Sequence, residues 1–267
     1  MPTCTCAVCD EARQKGIPYS RNGNSIYNHD ENILFDTPED IFSSLNRENI
    51  TSVDHIFLSH KHFDHTLGLR ILQSLNLREK PVRESSGKPI TLHVNQETRK
   101  TFLNANPSLH HLTDWATIHT YTDQATMNIG DLTITCHTTP ITKDGENAMT
   151  TYIVKDNRTT IISQDETKFL KPSRLPSPHT WIRETGMFQH TPNEERTVSK
   201  PIWDEQRKDE TTFQETLQQI ERLNPDQTIL TEIEEIYQRS HDDYKHLAAK
   251  HTDKNITFAH DSMEITV

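Results

Sequence analysis

The chain has 267 residues, enough for one large domain or two small ones, and its hydrophobic share of 32% predicts a lean core. Its formal net charge of -11 argues against broad electrostatic wrapping of nucleic acid, which relies on lysine and arginine. Because no apolar stretch approaches the roughly 18 residues of a membrane span or resembles a signal peptide, we expect a cytoplasmic protein with no membrane partner.

Three of the four cysteines lie close together near the N-terminus, in the stretch CTCAVC. Cys4, Cys6 and Cys9 have the spacing C-x-C-x-x-C. Thiolates bind zinc in tetrahedral sets, and close spacing allows one turn to supply several of them. The spacing therefore favours a metal-binding knuckle, and unrelated free thiols are the alternative.

The next elements lead to a cluster of histidines. SIYNHDENILFD predicts two strands around a polar turn, and TPEDIFSSLN predicts a helix with Thr37 as N-cap and Pro38 at the first helical position. DHIFLSH is a short apolar run typical of a buried strand, and TLGLRILQSL has helical spacing. The histidines between them are expected on a loop at the carboxyl end of a buried strand, where open α/β sheets place their sites.

The rest of the chain alternates strands with helices. PITLHV and DLTITCHTT read as strands, and TTYIVKDNRTTIIS as a hairpin that turns at residues 156–157. KDETTFQETLQQIERL predicts an amphipathic helix, TILTEI a strand, SHDDYKHLAAKH a helix and NITFAHDSMEITV a closing hairpin. This order predicts an α/β fold with two sheets packed face to face and helices outside.

The histidine cluster has the spacing H-x-H-x-D-H, formed by His60, His62, Asp64 and His65. Imidazole nitrogens and carboxylate oxygens suit zinc, manganese or iron, and four ligands in six residues exceed what one ion usually needs. The spacing therefore predicts two metal ions that share a hydroxide and clamp a reacting group. Chance clustering in a histidine-rich chain is the weaker alternative.

The stretch LSHKHFDHTLGL resembles the signature loop of the metallo-β-lactamase fold. That resemblance implies a four-layer αββα sandwich, formed here by a single domain over residues 1–267 with the cysteine knuckle in residues 1–15. The cysteine spacing also resembles the PhnP-like branch, the phosphoribosyl cyclic phosphodiesterases. In that branch the cysteines hold a structural zinc, separate from the two catalytic metals.

The resemblance implies a role for each matching residue. His60 and His62 match ligands of one metal, and Asp64 and His65 match ligands of the other. Asp165, which follows an apolar strand in TTIISQDET, matches the bridging aspartate, with an ordinary loop acid as the alternative.

The chain also departs from the family pattern. The family's third histidine has no counterpart in TTPITKDGENAMTTYIV, so His137 and Asp144 are its candidate replacements, each balanced by an ordinary structural explanation. The family's last histidine is replaced by Glu232, which shifts the expected metal towards manganese or iron. As fourth ligand of the cysteine zinc, His241 is favoured slightly over a solvated histidine, because Glu235 occupies the family's position.

The predicted function is that of a metal-dependent hydrolase. It is expected to be a phosphodiesterase that acts on a small, cyclic phosphate ester through a hydroxide bound to two metals. Asp64 and His190 are the candidate catalytic residues, with Glu184 and His179 as alternatives to His190.

Three alternatives remain open: a nucleic-acid phosphodiesterase similar to tRNase Z, a hydrolase of thioesters or lactones, and a metal-binding protein that has lost turnover. The expected partners are a small phosphoester substrate and a second copy of the chain in a homodimer. Nucleic acid is not expected.

Overall fold

A computed structural model describes residues 2–76, 89–145 and 148–266 of the chain. The chain divides into two compact units. The terminal unit contains Met1–Arg21, Ile141–Asp144 and Tyr152–Val267, and the central unit contains Asn22–Pro140 and Gly145–Thr151. Among the described helices, none is both long and apolar enough to cross a membrane.

The fold combines short strands and short helices, which confirms the expected α/β class. The strands are β1 (Ile26–Asn28), β2 (Ile33–Phe35), β3 (His55–Leu58), β4 (Ile90–Asn95), β5 (Ala116–Tyr121), β6 (Thr126–Ile129), β7 (Leu132–Pro140), β8 (Ala148–Lys155), β9 (Thr159–Ser163), β10 (Thr180–Glu184), β11 (Gln227–Thr231) and β12 (Ile256–Phe258). The helices are α1 (Ala7–Lys15), α2 (Ile41–Arg47), α3 (Phe63–Thr66), α4 (Ile71–Asn76), α5 (Gln96–Thr98), α6 (His110–Thr113), α7 (Lys200–Gln206), α8 (Phe213–Leu223) and α9 (His241–Ala249).

The central unit contains a five-stranded sheet in the order β1-β2-β3-β4-β5. The first pair is antiparallel, as predicted for SIYNHDENILFD, and the remaining pairs are parallel. Apolar side chains of β3 and β4 form a buried cluster with Ile41 and Leu45 of α2 and Leu72 of α4. Burying each such side chain stabilises the fold by about 1.5–3 kcal/mol, which holds these short helices on the sheet.

The prediction that Thr37 caps a helix is wrong. The helix α2 begins at Ile41, and Asp40 is its N-cap. Thr37 is fully buried, and its backbone N–H donates to the carbonyl of His65 at 2.8 Å. Its own carbonyl accepts from the N–H of Gly68 at 2.8 Å. Both backbone groups of Thr37 therefore bind the histidine loop and are not available to start a helix.

In the terminal unit the strand order is β12-β11-β10-β9-β8. The hairpin predicted for TTYIVKDNRTTIIS is confirmed as β8 and β9, and strands β9 to β12 run parallel to one another. The first residues of β8 lie in the central unit, which also contains the antiparallel pair β6 and β7. The predicted closing hairpin is wrong, because β12 pairs in parallel with β11 and no described strand follows it.

Helix α8 is the amphipathic helix of the terminal unit. Thr212 and Glu215 form a capping box at its start, in which each side chain bonds the backbone N–H of the other residue. Its apolar face places Phe213, Leu217 and Ile220 in a buried cluster with Trp181 of β10. The periodicity of the sequence predicted this helix, although it begins five residues after Lys208.

Candidate metal centre

The H-x-H-x-D-H loop follows β3 directly in the central unit. His60 is fully buried at the strand end, and His62 is the N-cap of α3. The ring centroid of His60 lies 4.5 Å from that of His62 and 4.4 Å from that of His65. A carboxylate oxygen of Asp64 lies 3.7 Å from Nε2 of His65. The loop therefore brings three imidazoles and one carboxylate close together, and their role as metal ligands stays a prediction.

Gly68 allows the loop to pack closely on the segment before α2. A Cβ at this position would lie 2.1 Å from the carbonyl oxygen of Pro38 and 2.6 Å from the side chain of Ile41. No side chain larger than hydrogen can occupy that space without moving the backbone. The close approach places the N–H of Gly68 on the carbonyl of Thr37, so the glycine fixes the position of the loop.

Asp36 contacts the histidine loop through buried hydrogen bonds. It follows β2, is fully buried and has a left-handed φ of 63°. Its carboxylate accepts from the backbone N–H of Ser59 at 2.7 Å and lies 2.6 Å from the hydroxyl of Ser59. One of its oxygens is also 2.8 Å from Nδ1 of His65. The sequence reasoning missed Asp36, although an aspartate directly after a buried strand beside β3 was a usable signal.

Carboxylates collect at one end of the sheet in the terminal unit. Strands β9, β10 and β11 are parallel and in register, so Asp165, Glu184 and Glu232 all emerge at the carboxyl end of the sheet. Oxygen atoms of Asp165 and Glu166 lie within 4.8 Å of each other. Glu232 has a left-handed φ of 52°, which turns the chain directly after β11. This end of the sheet offers oxygen ligands for a cation.

Burial shifts the proton affinity of this carboxylate group. Burial, followed by the nearby charge of Asp165, raises the pKa of Glu184 to about 7. Burial also raises the pKa of Glu210 to about 8, again with a contribution from Asp165. Glu184 accepts hydrogen bonds from the N–H and the hydroxyl of Thr167, both at 2.5 Å. No sequence motif points to Glu210, which lies far from Asp165 in the chain.

The three N-terminal cysteines come together as a group. Their sulfur atoms lie within 4.8 Å of one another, and all three are free thiols. A backbone hydrogen bond from Cys6 lowers the pKa of Cys4, whereas burial raises the pKa of Cys9. Three converging thiols fit a zinc ion.

His241 and His137 were expected to contribute ligands. His241 is not part of the cysteine group within the described residues; it begins α9 and contacts the rings of Tyr19 and His260, each at 5.5 Å between centroids. His137 is buried on β7, and its Nδ1 lies 3.2 Å from Asp123. Neither ligand role is tested by these positions, and both stay predictions.

The remaining candidates lie in the terminal unit. The backbones of His190 and Arg196 form an isolated antiparallel β-bridge, and the carbonyl of His190 accepts a hydrogen bond from the side chain of Arg239. His179 lies between Asp226, 2.8 Å from its Nδ1, and Arg158, 3.0 Å from its Nε2, near the protein surface. An ordinary surface role accounts for the contacts of His179, and a catalytic role for His190 stays a prediction.

The chain is similar to proteins of the beta-lactamase superfamily. The model of the beta-lactamase superfamily domain matches residues 31–233 of the chain. A diphosphatase from the PhnP family shares 18% identity and a TM-score of 0.69, over 100% of this chain and 91% of that chain. Zinc-bound PqqB from Methylobacterium extorquens shares 14% identity and a TM-score of 0.69, over 99% of this chain and 94% of that chain. The short form of human tRNase Z shares 15% identity and a TM-score of 0.60, over 91% of this chain and 90% of that chain. No curated protein matches the sequence.

Proposed function

Because this chain belongs to the beta-lactamase superfamily of metal-dependent hydrolases, we propose that it hydrolyses a small phosphate ester with two bound divalent metal ions. The observation that carries the proposal is the state of the loop histidines. Nδ1 of His60 lies 2.9 Å from the hydroxyl of Ser59, and Nδ1 of His65 lies 2.8 Å from Asp36. In both rings Nδ1 contacts a buried polar group of the protein, which is how second-layer contacts usually orient a histidine that binds a metal.

The residues present therefore fit the metals that the family resemblance implies. His60 and His62 would hold one ion and Asp64 and His65 the other. Asp165 is proposed as the bridging ligand and Glu232 as the replacement for the family's last histidine. Bound divalent ions would supply Lewis acidity that activates water and stabilises the negative charge of the transition state.

A third, structural ion is proposed at the cysteine knuckle. The convergence of Cys4, Cys6 and Cys9 supports zinc there, because three thiolates are soft ligands. The fourth ligand is proposed to be His241.

A small substrate is preferred over nucleic acid. The diphosphatase of the PhnP family and the cysteine trio support a small phosphate ester. The human tRNase Z structure favours a nucleic-acid phosphodiesterase as the second candidate. The net charge of -11 weighs against that candidate, since binding a polyphosphate backbone relies on basic residues.

The test combines metal content with turnover. Protein purified without chelator is expected to contain three metal ions per chain and to hydrolyse bis-p-nitrophenyl phosphate. Replacing Asp64 or His65 with alanine is expected to lower turnover by more than about 100-fold, because each change removes a ligand. Asp114→Ala and His111→Ala are matched controls at exposed positions and should leave turnover unchanged.

Two results would contradict the proposal. Full activity of Asp64→Ala and His65→Ala would exclude the loop as the catalytic site. One zinc per chain without turnover would mean that only the cysteine knuckle binds metal, and would favour a binding protein that has lost its activity.

A further inference from the structure

Asp36, Ser59 and His60 form a continuous chain of hydrogen bonds in the central unit. All three residues are fully buried. The hydroxyl oxygen of Ser59 lies 2.6 Å from Oδ2 of Asp36 and 2.9 Å from Nδ1 of His60. The Oδ2 atom is also 2.8 Å from Nδ1 of His65. One carboxylate thus contacts His65 directly and His60 through a single hydroxyl.

The order of protons in this chain follows from the groups involved. An ionised carboxylate can only accept hydrogen bonds, and the backbone N–H of Ser59 already donates to Oδ1 of Asp36 at 2.7 Å. The hydroxyl of Ser59 has one hydrogen, and it points to Asp36. The oxygen of Ser59 must then accept from Nδ1–H of His60. A neutral imidazole carries one ring hydrogen, so Nε2 of His60 is left without one.

The position of Ser59 is itself fixed by the backbone. Its N–H is held by Asp36, and its carbonyl accepts from the N–H of Thr150 on β8 at 2.9 Å. Thr150 is in turn bonded by the side-chain amide of Asn95 at 3.0 Å. The hydroxyl therefore has little freedom to leave the line between Asp36 and His60.

We propose that Ser59 is a positioning residue that fixes the tautomer of His60, so that one carboxylate, Asp36, prepares two ligand histidines at once. Asp36 determines the tautomer of His65 by direct contact, and it determines the tautomer of His60 through the hydroxyl of Ser59. The tautomer does not depend on the proposed function, whereas its consequence for metal affinity rests on it.

The tautomers can be read by NMR in chelator-treated, full-length protein with ¹⁵N-labelled histidine, at a pH where the rings are neutral. The two- and three-bond couplings between the carbon-bound ring protons and the two ring ¹⁵N nuclei identify which nitrogen carries the proton. The His60 signals are assigned by their loss in His60→Gln. In the wild-type protein both His60 and His65 are expected in the Nδ1–H form.

Two variants of Ser59 separate a tautomer effect from a loss of structure. Ser59→Ala is expected to release His60 from the Nδ1–H form while His65 keeps it, and to weaken zinc binding about 10–100-fold in chelator competition. Ser59→Thr retains the hydroxyl and should preserve both the His60 signature and the affinity. A merely structural role would change both histidines or neither.

The proposal would be overturned by an Nε2–H form of His60 in the wild-type protein, or by an unchanged His60 signature in Ser59→Ala. If Ser59→Ala does not fold, the spectra of the wild type and of Ser59→Thr still show whether His60 carries its proton on Nδ1 when the hydroxyl is present. Failure of the proposed function would appear as absent turnover with these tautomers intact, so the two outcomes can be told apart.

Discussion

Lowering the pH is expected to destabilise this protein through one buried histidine of the central unit. His93 on β4 lies between His55 on β3 and His119 on β5, with nitrogen-to-nitrogen distances of 3.0 and 3.1 Å. Its ring stacks on Phe57 with 4.1 Å between centroids and is 5% exposed. Burial, followed by the charges of His55 and His119, lowers the pKa of His93 from its usual 6.5 to about 3.

The sign and the size of the effect follow from linkage. Between pH 6.5 and about 3 the unfolded chain binds a proton at His93 and the folded chain does not, so the free energy of unfolding falls as the pH falls. One pKa unit corresponds to about 1.4 kcal/mol, so pH 5 should remove about 2 kcal/mol relative to pH 7. The full loss, approached near pH 3, is on the order of 5 kcal/mol.

Urea unfolding of wild type and His93→Phe from pH 7.5 to pH 5 measures this effect. The phenyl ring can keep the stacking on Phe57, so the difference between the two proteins isolates the titration. We expect the free energy of unfolding of the wild type, relative to that of His93→Phe, to fall by about 2 kcal/mol between pH 7 and pH 5. His111→Phe, at an exposed position, is the control and should leave the pH profile unchanged. Parallel profiles for His93→Phe and wild type would refute the reasoning.

Three further predictions concern a helix cap, the loop glycine and the cysteine site. Thr212→Ala removes half of the capping box with Glu215 and should lower the free energy of unfolding by about 1 kcal/mol in urea; no loss would mean that the cap is dispensable. Gly68→Ala forces a methyl group onto the carbonyl of Pro38 and should destabilise by about 1–3 kcal/mol or more by thermal unfolding, whereas wild-type stability would contradict the close approach. Cys9→Ser should remove one of the three proposed metal ions, measured by elemental analysis, while turnover persists; an unchanged metal content would contradict the proposed cysteine site.

Local patterns predicted the elements whose stability is local. The buried strand β3, the hairpin of β8 and β9, and helix α8 were predicted from periodicity and turn residues, and all three are present. The metallo-β-lactamase type of fold, inferred from the loop motif, is confirmed by the family match and by the similar structures.

Distant contacts explain where local patterns failed. Thr37 has the right neighbours for a helix cap, but its N–H binds His65, 28 residues further along the chain. The segment after Asn255 alternates like a hairpin, yet Ile256 to Phe258 find a parallel partner in β11. Neither partner can be read from nearby residues, because register and pairing are set by the sheet as a whole.

The same distinction applies to the candidate centre. The candidate loop ligands are visible in the sequence because four of them fall within six residues. Asp36 is brought to them only by the register of β2 and β3, which pairs Phe35 with Phe57. A residue that orients ligands leaves no spacing of its own in the sequence. Its detection requires the pairing of strands, and the pairing requires the structure.

The two units also differ in the polar side chains that they offer to a cation. The loop of the central unit supplies mainly imidazole nitrogens, whereas the strand ends of the terminal unit supply carboxylates, including that of Glu232. Glu184 and Glu210 have pKa values raised to about 7 and 8, so the folded chain binds extra protons between pH 4.5 and those values and loses stability as the pH rises through them. A divalent cation bound among these carboxylates would offset the repulsion between their negative charges.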